Sequence, residues 1–414
     1  MLTSAVRPAR FADVFGVSEF RWLWLAEAQS VAGDQLARVA LSVLVFDRTG
    51  SAGWTGLTYA LTYLPDLVGG PLLAGLADLF PRRRVMVVAD LIRAVLFGLM
   101  AVPAVPLVVM AGLLVVAQLC NAPFKAAQAA TLPVVLSGDR YVVGQTVRQV
   151  TGQSAQLLGF AAGGVLVAMI GPHRALAVDA VTFALSALLL SGGVVARASV
   201  AAAGGTIGYW DRLTQGVHIV WGDRRLRSLV GLAWLAGFVI VPEGLAVPYA
   251  ADIGGGSITA GVLLGAHPAG LALGALVVGR FVGPVRRLRL VGPLAVGAIV
   301  PLLAFGAEPD LPAAALLLMV SGACGAYQVV AGATFVRLVP GYARGQAFGL
   351  AGSGLIAVQG VGLVFGGLSA QALGSPGTAI MLAAAAGLLV GIPAAASWRS
   401  SVNALGLTEI GVQV

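Results

Sequence analysis

The sequence predicts an all-α membrane protein, with twelve transmembrane helices arranged as two pseudo-symmetric six-helix bundles. Three observations lead there. The chain of 414 residues is 58% hydrophobic and only 10% charged, with a mean hydropathy of +0.94. Soluble domains carry about 25% charged residues, and so little polarity covers a surface only where that surface meets hydrocarbon. Apolar stretches of bilayer-spanning length, ~20 residues, recur between turn signals. Short motifs then repeat at half the chain length.

Taken in order, the spans are expected at residues 20–46, 52–78, 84–103, 106–130, 145–170, 174–194, 227–250, 257–280, 289–306, 312–336, 346–371 and 376–397. The separators are RTGSAG (48–53), LFPRRR (79–84), VPAVP (102–106), SGDR (137–140), GPHR (171–174), DIGGGS (252–257), AEPDLP (307–312) and LGSPG (373–377). Gly and Pro in such clusters break helices and favour turns. The first stretch contains Glu27, Asp34 and Arg38 and is too long for the apolar core of a signal peptide, so it reads as a span. Three domains are expected: 1–195 as an N-terminal six-helix bundle, 196–226 as a linker, and 227–414 as a second bundle with a short tail. Within the linker, Trp210, Leu213, Val217, Val220 and Trp221 recur at helical spacing beside Arg212, Arg224 and Arg225, which predicts an amphipathic helix at the inner membrane surface.

The basic residues test this layout. With both termini inside, inner loops and tails hold twenty of the 25, outer loops hold Arg48 and Arg174, and Arg38, Arg93 and Lys125 fall inside spans. That asymmetry follows the positive-inside rule, and it accounts for the net charge of +8 without a nucleic-acid partner. Cys120 and Cys324 sit in apolar runs and show no metal-ligand or disulfide spacing. No phosphate-binding, dinucleotide or nucleophile-elbow motif is visible, so the chain is not expected to be an enzyme or to hold a cofactor.

The repeat joins GFAAGG at 159–164 to GLVFGG at 362–367. Ala130-Thr131 and Ala333-Thr334 share that offset, and Cys120 and Cys324 lie close to it. It implies two similar halves related by an axis along the membrane normal.

Charges inside the spans are costly, at about 2.5–3.5 kcal/mol each on insertion scales, which makes them candidates for function. Glu27 and Asp34 lie two turns apart on one face of span one, and Arg38 follows Asp34 at i+4, where the two can pair. Glu243 sits between Pro242 and Gly244 in span seven, where the breakers suggest an interrupted helix. Asp90 and Arg93 are expected to pair with each other. Asp179 and His267 are expected to be satisfied by hydrogen bonds. Asp78 stands at the end of span two, where the helix dipole disfavours an anion and calls for a cationic partner.

Four segments resemble the major facilitator superfamily, in particular its bacterial exporter branch that includes enterobactin exporters and macrolide efflux pumps. SVAGDQLARVAL (30–41) is similar to that branch. GLADLFPRRR (75–84) resembles the loop 2–3 signature through Leu76, Ala77, Asp78, Arg82 and Arg83, while Ala74, Leu79 and Pro81 depart from it. TLPVV (131–135) precedes a polar turn, as in that branch. GFAAGG (159–164) resembles the span-five antiporter signature, with Phe160 where Pro is usual. The resemblance implies a secondary transporter that works by alternating access. It implies that Asp78, Arg82, Arg83 and Arg344 form a conformational latch, and that Gly159, Gly163 and Gly164 form a helix-packing seam against span eight. Gln118, Asn121, Tyr327 and Gln328 then belong to spans that line a substrate cavity. Asp34, with Glu27, Arg38 and Glu243, is the candidate for proton coupling.

The expected function is export of an amphiphilic small molecule, such as a drug, antibiotic or siderophore, in exchange for protons. The alternatives are a facilitator or importer of a metabolite, or a non-transporting membrane sensor or scaffold on the same fold. The expected partners are the small-molecule substrate, protons and the lipid bilayer. The expected location is the cytoplasmic membrane of a bacterium, with both termini cytoplasmic and the chain monomeric.

Overall fold

The structure, a computed structural model, describes residues 10–73, 75–197, 209–340 and 344–404. All regular structure in them is helical. The elements are α1 (Phe11–Phe15), α2 (Ser18–Thr49), α3 (Ala52–Ala60), α4 (Leu64–Leu73), α5 (Leu76–Leu79), α6 (Arg82–Met100), α7 (Leu107–Leu119), α8 (Asn121–Val135), α9 (Asp139–Ile170), α10 (Pro172–Gly193), α11 (Tyr209–Gly222), α12 (Arg224–Trp234), α13 (Ala236–Val239) and α14 (Val241–Asp252). They continue with α15 (Ser257–Phe281), α16 (Pro284–Gly297), a 3-10 segment (Val300–Ala307), α17 (Leu311–Cys324), α18 (Tyr327–Leu338), α19 (Arg344–Leu373) and α20 (Pro376–Ala404).

This is a multi-pass membrane protein. Among the described residues, nine helical stretches are long and apolar enough to cross a bilayer. The first three expected spans take other forms. Helix α2 carries Glu19, Arg21, Glu27, Asp34, Arg38, Asp47 and Arg48 along its length. The second is divided into α3, α4 and α5. The third, α6, opens on three arginines and contains Asp90 and Arg93. Several other spans are interrupted where the sequence supplies a cause. Span seven breaks between α12, α13 and α14, with Pro242 in the first turn of α14. The 3-10 segment has Pro301 in its first turn. Proline removes a backbone donor and crowds the preceding turn.

The chain divides into two compact units, residues 1–40 with 68–205 and residues 41–67 with 206–414. The boundary differs from the sequence expectation, because α3 and the start of α4 group with the C-terminal stretch. The cause is a glycine contact: a Cβ on Gly56 would stand 2.8 Å from the Gly367 Cα, so α3 lies almost backbone to backbone with α19. Ser51 Oγ donates to Gln371 Oε1 at 2.8 Å at the end of the same seam.

In the first unit, α1 closes one end. Val14 joins Phe20, Leu132, Leu136 and Val147 in a buried cluster, and Phe15 meets Trp24 edge to face at 5.1 Å. In the second unit, α15 and α17 cross through glycines. A Cβ on Gly270 would stand 1.9 Å from the Met319 carbonyl oxygen, and one on Gly322 would stand 2.0 Å from that of His267. Small residues drive such crossings in membranes because hydrocarbon offers no hydrophobic driving force between helices.

The motif repeat has a structural counterpart in each unit. A Cβ on Gly159 would lie 2.8 Å from the Gln35 Cβ, and one on Gly163 would lie 3.3 Å from Val39 Cγ2. In the second unit, Gly362 abuts the Gly237 carbonyl and Gly366 abuts Val241. Each glycine motif thus grips the helix that begins its own half, at nearly the same separation along the chain. The neighbour of Gly159 and Gly163 within their unit is span one, a contact that the expectation of span eight did not include. Helix α11 forms where the amphipathic pattern places it and packs on α19, with the Gln346 carbonyl 2.6 Å from a Cβ on Gly216. The side chains of Trp210, Arg212 and Leu213 lie outside the described residues.

Candidate functional site

The first unit gathers four ionisable groups from three helices, three of them buried. Helix α2 supplies Asp34. Helix α6 supplies Asp90 and Arg93, one turn apart. Helix α10 supplies Asp179, followed on the same face by Thr182, Phe183 and Ser186. Arg93 Nη2 lies 2.9 Å from Asp34 Oδ1, and Arg93 Nη1 lies 3.8 Å from Asp90 Oδ1. The guanidinium is stacked on the Phe183 ring, 3.8 Å from its centroid. Thr182 Oγ1 donates to Asp179 Oδ1 at 2.9 Å. Gly33 makes the approach of α10 possible, since a Cβ there would stand 2.3 Å from that same Asp179 oxygen.

Burial separates the members. The Arg93 and Asp90 side chains are 4% and 0% exposed, Asp179 is also at 0%, and Asp34 keeps 24%. Among the described residues, neither Asp90 oxygen, nor Asp179 Oδ2, nor the Ser186 hydroxyl has a hydrogen-bond partner. Buried polar groups are normally satisfied, so these carboxylate oxygens are exceptions.

The expected Asp90–Arg93 pair is present, and Arg93 has another, nearer carboxylate. The first partner of Arg93 is Asp34, with Asp90 a longer second. Among the described residues, Asp179 is satisfied at one oxygen only and His267 Nε2 has no partner. Arg38 donates to Gln35 Oε1 at 3.3 Å. The sequence singles out Asp34 but does not join it to Arg93 or Asp179, because partner choice depends on which faces α6 and α10 turn toward α2. Gly33 beside Asp34 is the local signal of a close neighbour.

The other coupling candidates are engaged elsewhere. Glu27 is gripped by Arg148 through Nε at 2.5 Å and Nη2 at 2.7 Å. Arg148 also donates to Gln128 at 2.8 Å and Gln145 at 3.2 Å. Glu243, in the second unit, accepts from the Tyr59 hydroxyl at 3.0 Å.

The cavity candidates divide. Tyr327 is sealed in the core at 1% exposure and gives its hydroxyl to the Leu232 carbonyl at 2.8 Å, so it lines no cavity in this structure. Gln118 is buried, Asn121 is half-buried and Gln328 is exposed. A cavity of about 580 Å³ in the second unit is lined by Trp234, Phe238, Val241, Val358, Phe365 and Leu382 among others, and its wall is almost wholly apolar.

Of the latch residues, Arg82 donates to the Ala130 carbonyl at 2.8 Å, and Arg83 donates to the Ser191 carbonyl. Both tie α6 to neighbouring helices, Arg83 at the last turn of α10, where a cation meets the negative end of the helix dipole, and Arg82 at Ala130 within α8. The side chains of Asp78 and Arg344 lie outside the described residues. Gly164 is buried within α9.

No family model matches the chain. Multidrug efflux pump Tap of Mycobacterium tuberculosis is 31% identical over 225 residues, which cover 49% of this chain and 51% of that protein. The Mycobacterium bovis pump of the same name matches equally. The match thus spans about half the length of these curated relatives. Among solved structures, nucleoside transporter NupG superposes with a TM-score of 0.70 at 13% identity, over 92% of this chain and 99% of that one. A bacterial homologue of the human lysosomal transporter Spinster, inward-facing and unoccupied, gives 0.67 at 14% identity over 93% and 97%. At these identities the superpositions speak for the fold alone.

Proposed function

We infer that this chain, which carries the fold of the major facilitator transporters, is a secondary active transporter of the bacterial cytoplasmic membrane that exports an amphiphilic small molecule in exchange for protons. In this reading two six-helix halves rock about a central substrate site, with α2, α3–α5 and α6 as the first three spans. The likeness to efflux pump Tap supports export of a drug-like compound. The apolar cavity of the second unit suits the apolar part of such a molecule.

One observation carries the coupling. Asp34 alone among three clustered carboxyls reaches solvent, while its partner Arg93 and both other acids are sealed. One guanidinium balances one carboxylate, and a low-dielectric interior disfavours further uncompensated charge. The cluster therefore takes up and gives back a proton through Asp34. With Asp34 ionised, Arg93 pairs with it. With Asp34 protonated, Arg93 turns to Asp90, which stays ionised in both states, so the cluster passes from one uncompensated carboxylate to none, and the change in pairing biases the helices that carry these groups. Glu27 and Glu243 act as positioning residues, one holding α9 to α2 and the other holding α14 to α3.

Replacing Asp34 with Asn removes the exchangeable proton and preserves the shape. In everted vesicles bearing the full chain, Asp34→Asn is expected to abolish substrate-driven proton release while equilibrium binding of substrate persists. Proton release at the wild-type rate would remove Asp34 from the mechanism.

A further inference from the structure

Helix α9 carries an amide stripe that the proton cluster does not use. Gln145, Gln149, Gly152, Gln156, Gly159 and Gly163 follow one another at steps of four and three residues, so they share one face. The two halves of that face behave differently. Gly159 and Gly163 lie tight against Gln35 and Val39 of α2. Toward the N-terminus of α9, where Trp24 of α2 still donates to Thr151 at 2.8 Å, the same face borders a polar pocket of about 270 Å³, lined by Glu27, Gln145, Arg148, Gln149, Gln153 and Gln156. Glu27 is the residue that α2 contributes to this pocket, and Arg148 holds it there.

Depth gives the stripe its meaning. Counted from Ile170 at about 1.5 Å per residue, Gln156 is ~21 Å and Gln153 ~26 Å along the helix, inside a hydrocarbon layer ~30 Å thick. Gln153 is exposed and Gln156 half-buried. Among the described residues, the side chains of Gln149, Gln153 and Gln156 have no hydrogen-bond partner. Lipid satisfies no carboxamide, so this face meets water or a ligand. The pocket is also electrically quiet. Arg148 faces Glu27 in a two-point fork, with Gln128 and Gln145 completing its donors. No uncompensated carboxylate remains for a cation, nor a free guanidinium for an anion, and each remaining carboxamide both donates and accepts.

We propose that this pocket is a substrate subsite for uncharged molecules rich in hydroxyl and carbonyl groups, such as the sugar portion of a glycoside, received by Gln149, Gln153 and Gln156. The proposal deepens the transport reading and rests on it for the purpose of binding, but its test is independent of transport. The full chain in lipid nanodiscs is titrated calorimetrically with 4-nitrophenyl β-glucoside, a neutral probe, and with ethidium, a permanent cation. Saturable glucoside binding is expected in the wild type. Gln153→Leu combined with Gln156→Leu is expected to weaken it about tenfold, the size of two lost neutral hydrogen bonds, with ethidium binding unchanged. Should the double variant fail to assemble, Gln156→Asn keeps the amide but withdraws it by one methylene, and is expected to weaken the glucoside about threefold. Absence of saturable glucoside binding in the wild type, or equal weakening of both probes, overturns the proposal. Loss of the export reading would register separately, as wild-type vesicles that release no protons when substrate is added.

Discussion

At the scale of single residues, charge placement follows from what surrounds each group. Glu19, at the mouth of the first unit, shows this outside the membrane. Burial pushes its carboxyl up, but the Arg197 hydrogen bond, the Val195 backbone donor and the Arg197 charge together outweigh burial and hold it below the ordinary value. A depressed carboxyl stabilises the fold above its unfolded pKa and loses that contribution as pH falls through the folded value. Arg197 is more than a third exposed, so solvent screening limits the pair to about 0.5 kcal/mol. Glu19→Gln is expected to lower the melting temperature slightly at pH 7, with the difference closing near pH 3; an equal difference at both pH values would contradict the ion pair. The sequence exposes Asp34 as an acid in a span but hides Arg93 as its partner, since Asp90 at i−3 is the nearer choice along the chain. The amide stripe is equally hidden in composition, although Gln145, Gln149, Gln153 and Gln156 stand at helical intervals in the letters themselves.

Among elements, the apolar runs were legible because hydrocarbon imposes length and continuity, and helices form over nearly every expected span. Their interruptions were legible only in part. Pro242 and Pro301 announce breaks, whereas the division after Leu119 depends on how α7 and α8 pack. The arginine run at 82–84 reads as a loop signature, yet Arg82 binds a carbonyl within α8 and Arg83 one in the last turn of α10, roles that require knowing how those helices lie against α6. The α3–α19 seam yields a direct test. A Cβ on Gly53 would lie 3.5 Å from the Gln371 Cβ, within the range of a disulfide. In a background lacking Cys120 and Cys324, Gly53→Cys with Gln371→Cys is expected to cross-link under mild oxidation. If transport requires α3 to leave α19, oxidation stops it and reduction restores it; full transport in the oxidised protein would show that the seam stays closed throughout the cycle.

For the whole molecule, the repeat forecasts two like halves, and each unit does contain a glycine motif clasping the first helix of its half. What the repeat does not forecast is the allotment of residues 41–67, which lie in the first half of the sequence and in the second unit of the structure. That discontinuity governs how the protein can be divided. Fragments 1–205 and 206–414, expressed separately, do not correspond to the two units. The second fragment lacks the helix that covers Gly367, leaving a bare glycine face where backbone should meet backbone. It is expected to be degraded alone and rescued by co-expression with the first fragment, as read by immunoblotting of membranes; survival of 206–414 by itself would show that the borrowed helix is dispensable. A circular or split design that respects chain order will therefore cut through a folding unit, and an ancestral half-protein of this kind would have needed a twin before it could close its own wall.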